Sequence, residues 1–246
     1  MKKQLITLLS LTVLTASSTL LRADDATPSA APTSAAPSKT PDHLIYLTGK
    51  ESAWKDFPKA PTPGSAIDNS DLTVTLAAQA TRTEDQKTEA EHDKTYTITL
   101  VTEAIAPDFQ TKYPDVFDML QKADNDEHYI NSMVKKANAR LRPFVGHPSL
   151  VTPLFTVKDF SYPSGHSSGS EVQARLLALL FPAQADDVMK RARQVADSRV
   201  IAGVHYASDI AEGQVLGDLI FDALEANAQF KKDFAAAAAK DQIPLK

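Results

Sequence analysis

The sequence predicts an all-α protein, a single-domain helical bundle. Three observations lead there. From residue 66 onward the apolar positions recur with helical spacing. Capping residues stand at the starts of these runs, and prolines and glycines fall between them. The 246 residues are 43% hydrophobic and 23% charged, which suits one sizeable core.

The chain starts "MKKQLITLLSLTVLTASSTLLRADDA", with Lys2 and Lys3 before an apolar stretch from Leu5 to Leu14. That is the layout of a secretory signal peptide, expected over residues 1–23, with cleavage after Ser18 or Ala23. The strongly apolar part is about ten residues, well short of the ~20 that cross a bilayer. The expected location is periplasmic or secreted, with no transmembrane span after signal removal. Residues 24–60 read as an Ala/Pro/Ser-rich linker and N-terminal extension, because "ATPSAAPTSAAPSKTP" cannot bury a core. Residues 61–246 read as the helical domain, its start pinned by Trp54 and Phe57.

Within the domain, Asn69 or Ser70 is expected to cap a first helix through "LTVTLAAQA". Thr83 with Gln86 forms a capping box before a segment reaching about Ile105. "TYTITLV" (95–101) alternates like a strand but is read as helix from its surroundings. Pro114 opens a helix at "PDVFDMLQKA". Another is expected from about Glu127 to Leu141, stopped by Pro143, because the residue before a proline is pushed out of the α region. A loop follows over 144–162. Four helices are then expected over 165–181, 184–201, 208–226 and 228–240.

Composition narrows the function. A net charge of −5 argues against a nucleic-acid-binding face, while leaving room for a local cationic pocket. With no cysteine, disulfides, thiolate catalysis and Cys-ligated metals are excluded. His43, His92 and His128 lack metal-ligand spacing, so no metal and no cofactor are expected.

Three short elements carry the chemistry. The first is Lys135-x6-Arg142-Pro143, whose spacing of seven predicts one helix face. The second is Pro163-Ser164-Gly165-His166. The third is Ser198-Arg199-x5-His205-x3-Asp209. Singly, each has a bland reading: a solvated helix face, a capped turn, an i,i+4 surface pair. Together they supply three cations, two histidines, an acid able to orient one of them, and a glycine-bearing helix start. That set suits phosphoryl transfer.

A phosphoryl group in transfer spreads negative charge over three equatorial oxygens. Arg142 and Arg199 can offer paired donors and Lys135 a point charge. The helix starting at Ser164 and Gly165 adds free amides and the positive end of its dipole. His205 is the candidate nucleophile, turned by Asp209, and must be neutral to attack. His166 is the candidate general acid and must carry a proton. With an ordinary imidazole pKa of about 6.5, activity is expected to follow a bell with an acidic optimum.

With these motifs in place, the chain resembles the bacterial class A non-specific acid phosphatases. These belong to the superfamily of type 2 phosphatidic acid phosphatases and vanadium-dependent haloperoxidases. The likeness covers about residues 60–240, including "YPSGHSSG" and "SRVIAGVHYASDI". It implies an all-helical fold, export, metal independence and hydrolysis of small phosphomonoesters through a phosphohistidine, with phosphotransfer to alcohols and homo-oligomerisation left open. It makes His205 the nucleophile, His166 the general acid and Asp209 the orienter of His205. Lys135, Arg142, Ser164, Gly165 and Arg199 become phosphate ligands. Lys136 and Asn138 depart from the acid and aromatic that class A members often carry there. Three alternatives share the site: a vanadium haloperoxidase, a lipid-phosphate phosphatase, and a phosphate binder without turnover.

Overall fold

A computed structural model describes residues 43–245; the expected signal peptide and most of the linker lie outside the described residues. Ten α-helices occur among them: α1 (Ala66–Thr81), α2 (Glu84–His92), α3 (Thr99–Thr102), α4 (Phe109–Lys112), α5 (Pro114–Asn138), α6 (Pro143–Gly146), α7 (Gly165–Leu180), α8 (Ala185–Ile201), α9 (Ala207–Ala226) and α10 (Ala228–Lys240). No strand is present among the described residues, as an all-α bundle requires. No described helix is long and apolar enough to cross a membrane.

The bundle is built around α7. Its residues Ser167 to Ala174 are all buried, and it packs on α5, α8 and α9. Much of that buried run is polar, and most of its groups find a partner, Gln173 Oε1 being the exception. Ser167 Oγ donates to the Ile210 carbonyl at 2.7 Å, Ser170 Oγ to that of Ala192 at 3.2 Å, and Gln173 Nε2 to that of Leu120 at 3.3 Å. Buried polar groups are tolerated on this condition. Small residues also let α9 approach α7. A Cβ on Gly213 would lie 2.7 Å from the Ser164 carbonyl oxygen, and one on Gly217 would lie 2.7 Å from that of Ser168.

The apolar core joins α5, α7, α9 and α10, and it takes in Leu44, Tyr46, Leu47, Trp54 and Phe57 from the expected extension. The stretch around Tyr46 is held through its backbone: Asp126 on α5 accepts from the amides of Ile45, Tyr46 and Leu47.

Several elements differ from the sequence reading. Helix α1 is capped by Ser65, whose side chain accepts from the Asp68 amide, because Gly64 turns the chain at φ 78° just before it. The Thr83–Gln86 capping box forms, but α2 ends at His92 rather than near Ile105. "TYTITLV" is neither strand nor long helix; only Thr99–Thr102 winds into α3. The helices expected from Pro114 and Glu127 are one. Nothing in "QKADNDE" interrupts the turn, and Ala123, Asp126 and Glu127 are buried. The last four helices match within a residue or two.

Candidate active site

The largest correction concerns Lys135 and Arg142, which do not share a helix face. Helix α5 ends at Asn138 and Ala139 turns left-handed at φ 50°. Arg142 sits in extended backbone as the N-cap of α6, with Pro143 opening that helix instead of closing α5. The two cations still converge, because both bind Asp159: Lys135 Nζ lies 3.2 Å from Oδ2, and Arg142 Nη2 contacts Oδ1.

Arg142 also reaches His205. Its Nη1 is 3.0 Å from His205 Nε2 and donates to the Val204 carbonyl at 2.7 Å. A guanidinium N–H can only donate, so Nε2 of His205 carries a lone pair and the ring proton belongs on Nδ1. That Nδ1 stands 3.4 Å from Asp209 Oδ2 without an aligned hydrogen bond. His205 is held by the loop between α8 and α9, and Asp209 by the first turn of α9.

His166 and Ser164 begin α7. Ser164 is the N-cap, accepting from the Ser167 amide, and its own amide donates to the Asp209 carbonyl at 2.9 Å. Gly165 and His166 are the first helical residues, whose amides have no partner within the helix. A Cβ on Gly165 would meet Asn131 Oδ1 at 3.3 Å. His166 Nε2 lies 2.9 Å from the Asp93 carbonyl, so that nitrogen carries the hydrogen and Nδ1 is the one left free. The Tyr96 ring meets the imidazole edge-on at 5.4 Å. Arg199, from α8, is buried. Its Nη1 donates to the same Asp93 carbonyl at 3.1 Å, its guanidinium lies 5.0 Å from the Phe155 ring centre, and its Nε has no partner. A buried orphan donor on a cation suits an anion.

Burial, then Arg142, Lys135 and Arg199, hold His205 well below the ordinary imidazole range. Burial, then Arg199 and His205, do the same to His166. In the free protein both rings are therefore neutral, which meets the expectation for His205 and not for His166. Burial and the neighbouring Arg142 bring Lys135 down to about 8 and Arg199 to about 9.

Sequence reasoning missed the residues that hold this set in place. Asp209 accepts from Arg140 Nη1 at 2.7 Å, from Ser161 Oγ, and from the Tyr206 amide at 2.8 Å. Arg140 also binds Asp68 and Asp71 of α1, each at 2.9 Å, and stacks over Tyr206 at 4.0 Å. Asp93 is buried, its carboxylate clamped by Arg191. Behind α7, Ser168 Oγ bonds Glu127, and Asn131 Nδ2 donates to Ser168 Oγ at 2.9 Å. Burial pushes nearby Asp124 up to about 7 and Glu127 up to about 8. Arg140, Asp159 and Ser161 all lie within a few residues of the motifs, which was their only visible signal.

The cations and imidazoles thus gather in two sets, Lys135, Arg142, His205 and Asp209 in one and His166 and Arg199 in the other, with the α7 start bonded to Asp209. Residues 127–226 match the PAP2 superfamily. That segment is similar to PAP2 superfamily domains. Lys135, Arg142, Ser164, Gly165, His166, Arg199, His205 and Asp209 all fall inside it. The chain is 33% identical to a non-specific acid phosphatase of Salmonella typhi over 127 residues, 50% of this chain and 51% of that protein. It spans about half the length of the curated relatives it matches. Two solved structures share the fold. One is a transmembrane PAP2 type phosphatidylglycerolphosphate phosphatase from Bacillus subtilis (TM-score 0.50, 23% identity, 67% of this chain and 87% of that one). The other is a bacterial vanadium-dependent iodoperoxidase (TM-score 0.53, 16% identity, 69% and 54%).

Proposed function

We propose that the protein hydrolyses small phosphate monoesters at acidic pH through a phosphohistidine. The observation that carries this is the lone pair of His205 Nε2, fixed by Arg142 at 3.0 Å among buried cations. Lys135, Arg142, Arg199 and the α7 amides would hold the three non-bridging oxygens. The Nε2 lone pair then forms the N–P bond as the ester P–O bond breaks. Its electrons leave with the alcohol oxygen, which takes a proton from Nδ1 of His166, a ring that acid and the bound phosphoryl dianion have first converted to imidazolium. In the second half, neutral His166 takes a proton from water. The oxygen attacks phosphorus, the N–P bond breaks, and phosphate leaves. An alcohol in place of that water would give phosphotransfer.

Several features support the reading. The donors are cations and amides, the chemistry that binds phosphate directly. Among the described residues no group of three or more His, Cys, Asp or Glu is arranged to hold a metal ion. Asp209 sits where it can steady the imidazolium side of His205. The N-terminal sequence supports export to a periplasm.

The test is incubation with 32P-labelled phosphomonoester followed by quenching. A base-stable, acid-labile phosphoenzyme is expected, absent from His205→Ala. Turnover without such a species, or its survival in the variant, would overturn the mechanism. Halide oxidation appearing only with added vanadate would instead favour the haloperoxidase alternative.

A further inference from the structure

We propose that Asp159 is an internal anion that occupies the phosphate-gripping cations of the free protein and sets how tightly an incoming phosphate group binds. This rests on the same pocket being the phosphate site.

The case begins with what the cations touch. Both carboxylate oxygens of Asp159 are matched to a cation, Oδ1 to Arg142 and Oδ2 to Lys135. The backbone beside it is gripped as well. Arg142 Nε donates to the Asp159 carbonyl at 2.8 Å, and Lys135 Nζ donates to that of Phe160 at 2.5 Å. The remaining Arg142 nitrogen, Nη1, is committed to Val204 and His205. Four of the five N–H groups of Arg142 are thus taken, and only one, on Nη2, is left for a second anion while residue 159 stays where it is.

Exposure decides which partner can move. The side chains of Arg142 and Lys135 are 3% and 8% exposed, whereas that of Asp159 is 53% exposed. The cations are fixed in the domain; the carboxylate stands between them and solvent on the loop before Pro163. Swinging outward, it regains water, so its departure costs less than moving a buried cation. A phosphate oxygen would then inherit donors that are already desolvated and aimed. The carboxylate also stays charged in acid. Burial would raise it, but Lys135 and Arg142 outweigh that and hold it well below the usual carboxylate range.

An occupant of this kind weakens substrate binding by the fraction of time the site is open. A site open roughly a tenth of the time binds about tenfold more weakly than an empty one. Chemistry after binding is untouched, because the displaced carboxylate has no role in it. Removing the charge should therefore lower KM and leave kcat nearly unchanged.

The experiment uses the full chain with Asp159→Asn and Asp159→Ala. Inorganic phosphate binding is measured by calorimetry, and p-nitrophenyl phosphate turnover in parallel. Phosphate should bind about tenfold more tightly to both variants, with KM falling alike and kcat within about threefold of the parent. Glu91→Gln is the control, removing a negative charge near Arg199 whose ion pair is with Lys94 and which occupies no donor of a site cation; less than a twofold change is expected. Unchanged or weaker phosphate binding in the Asp159 variants, or an equal gain in Glu91→Gln, would overturn the proposal. A parent protein that binds phosphate without turnover, with tighter binding in Asp159→Asn, would sustain it while removing the hydrolase reading. Turnover with no change in binding would do the reverse.

Discussion

His166 and Arg199 share one acceptor: Nε2 of the imidazole, at 2.9 Å, and Nη1 of the guanidinium, at 3.1 Å, both meet the backbone carbonyl of Asp93. That carbonyl is only as well placed as the residue carrying it, and the Asp93 carboxylate is fixed by Arg191.

Arg191→Met should therefore reach the chemistry from outside the pocket. Loss of alignment at His166 and Arg199 is expected to lower kcat/KM roughly 10- to 100-fold. Arg191→Lys should recover part of it. Steady-state kinetics on variants with native circular dichroism would check this. A variant that is merely less stable, with kcat/KM intact, would show that the carbonyl needs no clamp.

The pH profile follows from the two depressed imidazoles. In the free protein His166 loses its proton well below the ordinary value, so kcat/KM should peak below pH 6.5 and fall above it. A bound phosphoryl dianion favours the imidazolium, so the falling limb of kcat should lie at higher pH than that of kcat/KM. Both profiles can be measured with p-nitrophenyl phosphate between pH 4 and 8. A kcat/KM that climbs steadily to pH 8 would contradict the assignment of His166.

Folding stability should fall as pH rises from 6.5 to 8. Asp124 and Glu127 are raised to about 7 and about 8 by burial, so the folded state keeps protons that the unfolded chain has already lost. Stability present below the ordinary carboxylate pKa is then lost as pH climbs through the folded values. The buried histidines oppose this trend weakly up to about pH 7.5, being neutral in the fold while the unfolded chain still holds part of their protons. The loss should be on the order of 2 kcal/mol across the window. Urea titrations at the two pH values would show it, and Asp124→Asn with Glu127→Gln should reduce the slope. Equal stability at both would mean these carboxyls ionise freely.

Gly217→Ala should destabilise although it lies mid-helix, where alanine normally gains up to about 1 kcal/mol over glycine. The added Cβ would sit 2.7 Å from both the Ser168 carbonyl oxygen and Glu171 Cβ. Forcing α9 off α7 should cost about 1–3 kcal/mol. Thermal denaturation gives the sign directly.

The helical class and the last four helices were legible because long amphipathic runs with clear breaks leave few alternatives. The motif residues were legible as chemistry because cations, imidazoles and a glycine-bearing helix start form an unusual combination. What stayed hidden depends on partners distant in the chain. Arg140 looks like one more basic residue until Asp68, Asp71 and Asp209 close around it. Asp93 acts through a carbonyl, which side-chain identity does not encode. The end of α5 was misread because Pro143 was a visible stop, while Ala139 adopts a left-handed turn for which no glycine gave warning.

That alanine changes what the interval between Lys135 and Arg142 measures. It is the length of a corner, not two windings of a rod. An insertion upstream of residue 139 would rotate the lysine about 100° around its axis and leave the arginine behind. An insertion downstream would lengthen only the bend. Two neighbouring edits of equal size should thus have unequal consequences, and the harsher one is farther from the arginine.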